Sequence, residues 1–138
     1  LTSIDANAAA TLVSEAVAEA AARGISISVA VVDDAASLVA FHRMNAAPRF
    51  SADFAIAKAR TSATFSVPTS SLEELYKDRP AFAHSFVAQG NYFLGRGGVP
   101  LFRGAERVGA IGVSGADAHG EEDIARHVIA AAEGFEPA

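Results

Sequence analysis

Lys58 stands four residues after Phe54 and seven before Phe65, so on a helix this cation shares a face with two phenylalanines. An amine in that setting can lose its proton on burial and serve as a base or imine former, or it can hold a carboxylate as an ammonium. It can also snorkel, covering Phe54 with its methylenes. Anion binding ranks above imine chemistry. Arg96 lies in Gly95-Arg96-Gly97-Gly98-Val99-Pro100, where backbone amides can cradle an anion beside a guanidinium fork. Without a phosphate-binding spacing, such a run is as readily an ordinary turn. Arg43 offers a second fork or fixes the loop after Met44. Asp33 ends an apolar run and can pair with Arg43 or Lys58, a structural ion pair being the default, or cap its own turn.

Ser114 closes the segment Arg107-Val-Gly-Ala-Ile-Gly-Val-Ser-Gly115. Its glycine spacing is not that of a nucleophile elbow, and a nucleophilic role needs a base in reach; donation of a hydrogen bond to a ligand or to the next helix is the simpler role. Of the four histidines, His42 and His127 read as ordinary partly buried residues, while His84 and His119 stand in less regular stretches from which a cofactor can be approached. No pair has zinc-helix spacing, and no cysteine is present to close a structural zinc site. The expected metal set is therefore empty.

The elements that must position these groups follow from periodicity. Thr2 or Ser3 caps a helix over residues 4–23, stopped by Gly24; residues 25–32 form a strand that turns at 33–37 into a return strand over 38–44. Ser51 caps a helix over 52–65, whose Ala55, Ala59 and Ala63 make a small-residue stripe; Pro68 ends it, and Ser70 or Ser71 caps a short helix to Tyr76. Residues 80–87 are helical or irregular. Residues 92–94 and 99–102 are short strand candidates, and the second leads through a tight turn into the 107–114 strand. In that strand Gly109, Ala110 and Gly112 leave room for a backbone, a helix or a ligand to approach closely. A final helix over 121–133 begins with Glu121, Glu122 and Asp123, favourable to its dipole. Helices segregated from a largely antiparallel sheet give an α+β class, and 138 residues form one domain.

Hydrophobic residues make up 51% of the chain and its net charge is −5, with no block of like charge. A nucleic-acid partner is excluded on that balance. No apolar run is long enough to span a bilayer and Leu1 does not open a signal peptide, so a cytoplasmic protein without a membrane partner is expected; a chain beginning at Leu1 is nevertheless open to earlier trimming. Apolar residues on several faces of the first and last helices exceed what one sheet can cover. A homo-oligomer is expected on that ground.

Val31-Val32-Asp33, Leu38-Val39-Ala40, Arg43-Met44, Ala57-Lys58-Ala59, Pro68-Thr69, Gly97-Gly98-Val99-Pro100, Gly109 to Gly115 and Asp123 occur in order across the chain. In this set the sequence resembles the GlcG/HbpS-like family, which includes the C-terminal domain of PduO-type proteins. The resemblance implies a profilin-like α/β/α fold with a central antiparallel sheet, self-association and, in some members, haem or corrinoid binding; it implies no single activity. Two departures bear on the pocket: Ala35-Ala36-Ser37 lacks the usual glycine, and Asn45-Ala46 replaces Asp-Gly after Arg-Met. A haem needs an apolar slot and an axial donor, which phenylalanines and a histidine can supply, but no Cys-X-X-Cys-His attachment is present.

Two functions follow. The first is a small-ligand-binding protein for a carboxylated or planar ligand, held between the Gly97, Gly98 and Pro100 loop, Ser114 and the Lys58 helix, with Arg96 or Arg43 at the rim. The second is a cofactor-independent enzyme on a carboxylate-bearing metabolite, with Lys58 or a histidine as acid/base. From the sequence, Lys58→Met should weaken either function and keep the fold.

Overall fold

The computed structural model describes residues 3–115 and 118–136, the side chains of Ala118 and His119 excepted. The order is α1 (Ala6–Ala22), β1 (Ser28–Asp33), β2 (Leu38–Arg43), α2 (Ser51–Phe65), α3 (Thr69–Tyr76), α4 (Pro80–Ala88), β3 (Gly98–Arg103), β4 (Glu106–Ser114) and α5 (Ala118–Ala131). All four strands pair antiparallel in the order β2-β1-β4-β3, which places β4 and β1 at the centre. The α+β class expected from the sequence is the class observed. Pro100 lies on β3, an edge strand, where its missing N–H leaves no gap in the sheet's interior.

The two sheet faces differ in side-chain size, and that difference sets the layers. One face presents Val29, Val31, Val99, Leu101, Ile111 and Val113 to Leu12 and Val13 of α1 and Ile124, Val128 and Ile129 of α5. The other presents Ala30, Val32 and Ala110 to Ala55, Ala59 and Ala63 of α2. Gly112 completes this second face: a Cβ there would run into the Ala55 carbonyl and the Ala59 amide. The small residues of β4 thus admit a helix, the second of the three occupants the sequence left open. Close packing of α2 then brings the helix's polar residues down to the sheet's end. No described helix is long and apolar enough to cross a membrane.

Several local expectations are corrected. Asp5, not Ser3, caps α1 by accepting the Ala8 amide at 2.8 Å, while Ser3 Oγ accepts the Asp34 amide at 3.3 Å; Thr2 lies outside the described residues. Phe50 occupies the N-cap of α2 without a side-chain bond, because the Ser51 hydroxyl turns inward to Ser28 Oγ at 2.8 Å. Pro68, rather than a serine, precedes α3. Residues 92–94 form no strand, since Asn91 adopts φ +55° and the Phe93 amide donates to Thr61 Oγ1 at 2.8 Å instead of to a neighbouring strand. Ala36 takes φ +62° in the turn between β1 and β2, a backbone that costs an L-residue about 1–2 kcal/mol.

Candidate functional site

Lys58 projects from α2 to the end of β4 and is 3% exposed. Its Nζ donates to the Val113 carbonyl at 3.2 Å and pairs with Glu121 Oε1 at 3.3 Å; the two side chains are 4% and 5% exposed. The other carboxylate oxygen of Glu121 accepts the Gly115 amide. Burial holds the Lys58 amine below the ordinary lysine range, and the Glu121 charge opposes that shift. A deprotonated amine would leave the Glu121 carboxylate buried without its cation. The Phe93 ring centre lies 5.3 Å from Nζ, within reach of a cation–π contact.

The glycine run makes space for this lysine. Gly97 has φ +128°, and a Cβ there would strike the Val113 carbonyl and stand 3.1 Å from Lys58 Cδ and 3.2 Å from its Nζ. A Cβ on Gly98 would meet the Lys58 carbonyl, and its amide is committed to Thr69 Oγ1 at 2.9 Å. Arg96 precedes them with its side chain 41% exposed and its guanidinium 3.8 Å from Glu122, a long contact for an ion pair.

Lys58 opens on a cavity of about 560 Å³. Phe50, Phe54 and Phe93 form its aromatic walls, with ring centres 5.0 Å (Phe50 to Phe54) and 4.7 Å (Phe54 to Phe93) apart. Arg96, Ser114, Glu73 and Glu121 supply its polar lining. Ser114 is buried at the end of β4. No histidine side chain among the described residues lines this cavity.

Of the residues singled out from the sequence, the fold brings together Lys58, Arg96, Gly97, Gly98 and Ser114. Pro100 is buried two register steps beyond Gly98 along β3, opposite Ala110. Asp33 sits at the far end of β1, opposite Gly109, where Oδ1 accepts the amides of Ala35 at 2.9 Å and Ser37 at 3.0 Å. It caps its turn; no Asp33 pair with Arg43 or Lys58 is present. Arg43 shares a register row with Ser28 and Ser114 but is exposed on the edge strand and does not line the cavity. Phe65 turns away, stacking on Phe86 and Tyr92 at 5.0 Å each. His42 is exposed on β2, His84 is exposed on α4 and His127 contacts Glu19 at 3.2 Å.

Sequence reasoning missed Glu121 and Thr69. The signal for Glu121 was available: Ile124, Ala125, Val128 and Ile129 follow it at helical spacing, so this carboxylate occupies the buried stripe of α5. Thr69 stood in the sequence only as part of the Pro68-Thr69 match, with no role attached. Only the fold shows that its hydroxyl reaches across to Gly98.

The chain matches, over residues 4–130, the model of the family described as haem degrading protein HbpS-like. No individual curated sequence matches it significantly. Among solved structures, a double mutant of Streptomyces reticuli HbpS is 30% identical with a TM-score of 0.86, covering 95% of this chain and 88% of that one. A PduOC:heme complex is 25% identical with a TM-score of 0.88 and covers 98% of each chain. The ORFY protein of Klebsiella pneumoniae shares the fold at 21% identity, with a TM-score of 0.85 and coverage of 93% and 89%. Because the family model spans the sheet, α2 with Lys58 and α5 with Glu121 together, the chain belongs to the HbpS-like family.

Proposed function

We propose that this protein, as one domain, binds a planar carboxylate ligand in the Lys58 cavity, with haem the first candidate and a corrinoid the second. The observation that carries the reading is a buried ammonium at the base of an aromatic-walled cavity whose rim bears a second, partly exposed cation. Glu121 neutralises Lys58. A ligand carboxylate would share that ammonium, and Arg96 would take a second carboxylate from the rim.

The lining suits the organic part of haem: Phe50, Phe54 and Phe93 would hold the ring, and Lys58 and Arg96 the propionates. Among the described residues lining this cavity there is no histidine, cysteine, methionine or tyrosine to serve the iron as an axial side chain, and the side chain of His119 lies outside the described residues. A bound haem would supply redox-active iron; the residues here bind, orient and exclude water. The relatives' names, a haem-degrading family and a PduOC:heme complex, support this ligand class. The enzyme reading draws on the lowered pKa of Lys58, and Glu121 weighs against it by favouring the protonated amine.

Absorption and fluorescence titrations with haem, protoporphyrin IX and cobalamin test the proposal. Saturable binding of the porphyrins with a shifted absorption band is expected, at one ligand per chain. A spectrum unchanged by all three would overturn it.

Self-association belongs to the same proposal, because Leu38 and Phe41 on the edge strand and Leu75 on α3 are 48%, 38% and 65% exposed. Light scattering should then give a mass above the 14.2 kDa of one chain. A monomer mass at micromolar protein would contradict this part.

A further inference from the structure

Resting on the reading of Lys58 as a carboxylate anchor, we infer that the ligand is an amphiphile spanning two chambers. Its carboxylates gather at Lys58 and Arg96, and its uncharged apolar body extends from the Phe50, Phe54 and Phe93 walls into an adjoining chamber beside α4. That chamber measures about 540 Å³ and is lined by Tyr76, Pro80, Ala83, Val87, Ala88 and Tyr92, among others. It shares Glu73, Phe93 and Leu94 with the Lys58 cavity, so the two spaces meet at a partition made of side chains.

Helix α4 gives the chamber its meaning. Its sequence, Pro-Ala-Phe-Ala-His-Ser-Phe-Val-Ala, is almost wholly apolar, yet none of its residues is buried. A helix of that composition ordinarily covers its apolar stripe with protein. Here Phe82 and Phe86 stack on Tyr76, at 4.8 and 5.5 Å, and Phe86 also on Tyr92 at 5.4 Å. Ala83 and Val87, one turn apart, line the chamber instead. An apolar ligand body would remove this surface from water, which is the favourable term in its binding.

The partition sets the ligand's polarity. Phe93 is held by the hydrogen bond its backbone amide donates to Thr61 Oγ1 and by its ring contact with Phe54, so it offers a fixed aromatic face to a ligand passing from one chamber to the other. Glu73 stands at the same junction and disfavours negative charge there. The ligand's anionic groups therefore collect at its Lys58 end. His84 and Lys77 also line the second chamber and are exposed, which leaves its outer mouth polar and its interior apolar.

Protoporphyrin IX serves as the probe, titrated by fluorescence into the full chain. Val87→Trp and Ala83→Phe each fill the second chamber; both should weaken binding by about tenfold or more while the ligand-free melting temperature stays near that of the parent. The pair Lys58→Met with Glu121→Gln should weaken it as well. If neither chamber variant changes the affinity while the Lys58 pair does, the anchor stands and the spanning ligand is wrong. If the chamber variants weaken binding and the Lys58 pair does not, the anchor itself is wrong, and with it the spanning ligand. Should Val87→Trp fail to fold, Ala83→Phe decides alone.

Discussion

Lys58→Met, made alone, should destabilise the fold by about 3–5 kcal/mol, because it strands the Glu121 carboxylate in the interior without its cation, the Gly115 amide being a neutral partner among the described residues. That is a large share of the roughly 5–15 kcal/mol that holds a domain of this kind together. Adding Glu121→Gln removes the uncompensated charge and should bring stability back to within about 1 kcal/mol of the parent, as neutral replacement of a buried pair commonly does. Urea denaturation of the parent, the single variant and the double variant measures the effect. A single variant no less stable than the double would show that Lys58 and Glu121 do not depend on one another.

The second large effect belongs to a residue with no functional group. Gly112→Val should cost more than about 3 kcal/mol, beyond the usual range for an overpacked core side chain, because its Cβ meets backbone atoms of Ala55 and Ala59 that cannot rotate away. The helix would have to lift from β4, taking Lys58 away from Val113 and Glu121. Thermal unfolding should show the loss, and any folded remnant should bind porphyrin poorly. A variant that melts with the parent would mean that α2 does not need its close seat on β4.

The link between these two predictions was partly legible in the sequence. Gly109, Ala110 and Gly112 announced a strand built for close approach, and Ala55, Ala59 and Ala63 announced a helix able to make it; the contact of Ala110 and Gly112 with that helix emerges only when both are folded, whereas Gly109 faces Ile4. Lys58 was visible because a lone cation shared a helix face with phenylalanines. Its stabilising partner was not, since Glu121 was first read as a first-turn charge favouring the helix dipole, although the apolar spacing behind it marked a buried position. That is why the expectation that Lys58→Met keeps the fold gives way to a predicted loss. Asp33 shows the opposite case: sequence offered an ion pair or a turn cap, and strand register, which no local pattern fixes, put it at the far end of the sheet from Lys58. The strand expected at residues 92–94 gave way because one side-chain oxygen, Thr61 Oγ1, claimed the Phe93 amide.

The central claim is that the Lys58 charge holds a ligand carboxylate, and a cycle between protein and ligand charge tests it most directly. Protoporphyrin IX and its dimethyl ester, which keeps the ring and removes the carboxylate charges, are titrated into the parent protein and into the Lys58→Met, Glu121→Gln pair. In the parent, esterification should weaken binding about ten- to a hundredfold, the equivalent of a charge-assisted contact of about 1.5–3 kcal/mol. In the double variant the same esterification should cost much less, leaving a coupling energy that belongs to Lys58. An ester that binds the parent as well as the free acid does, or an equal penalty in both proteins, would contradict the account.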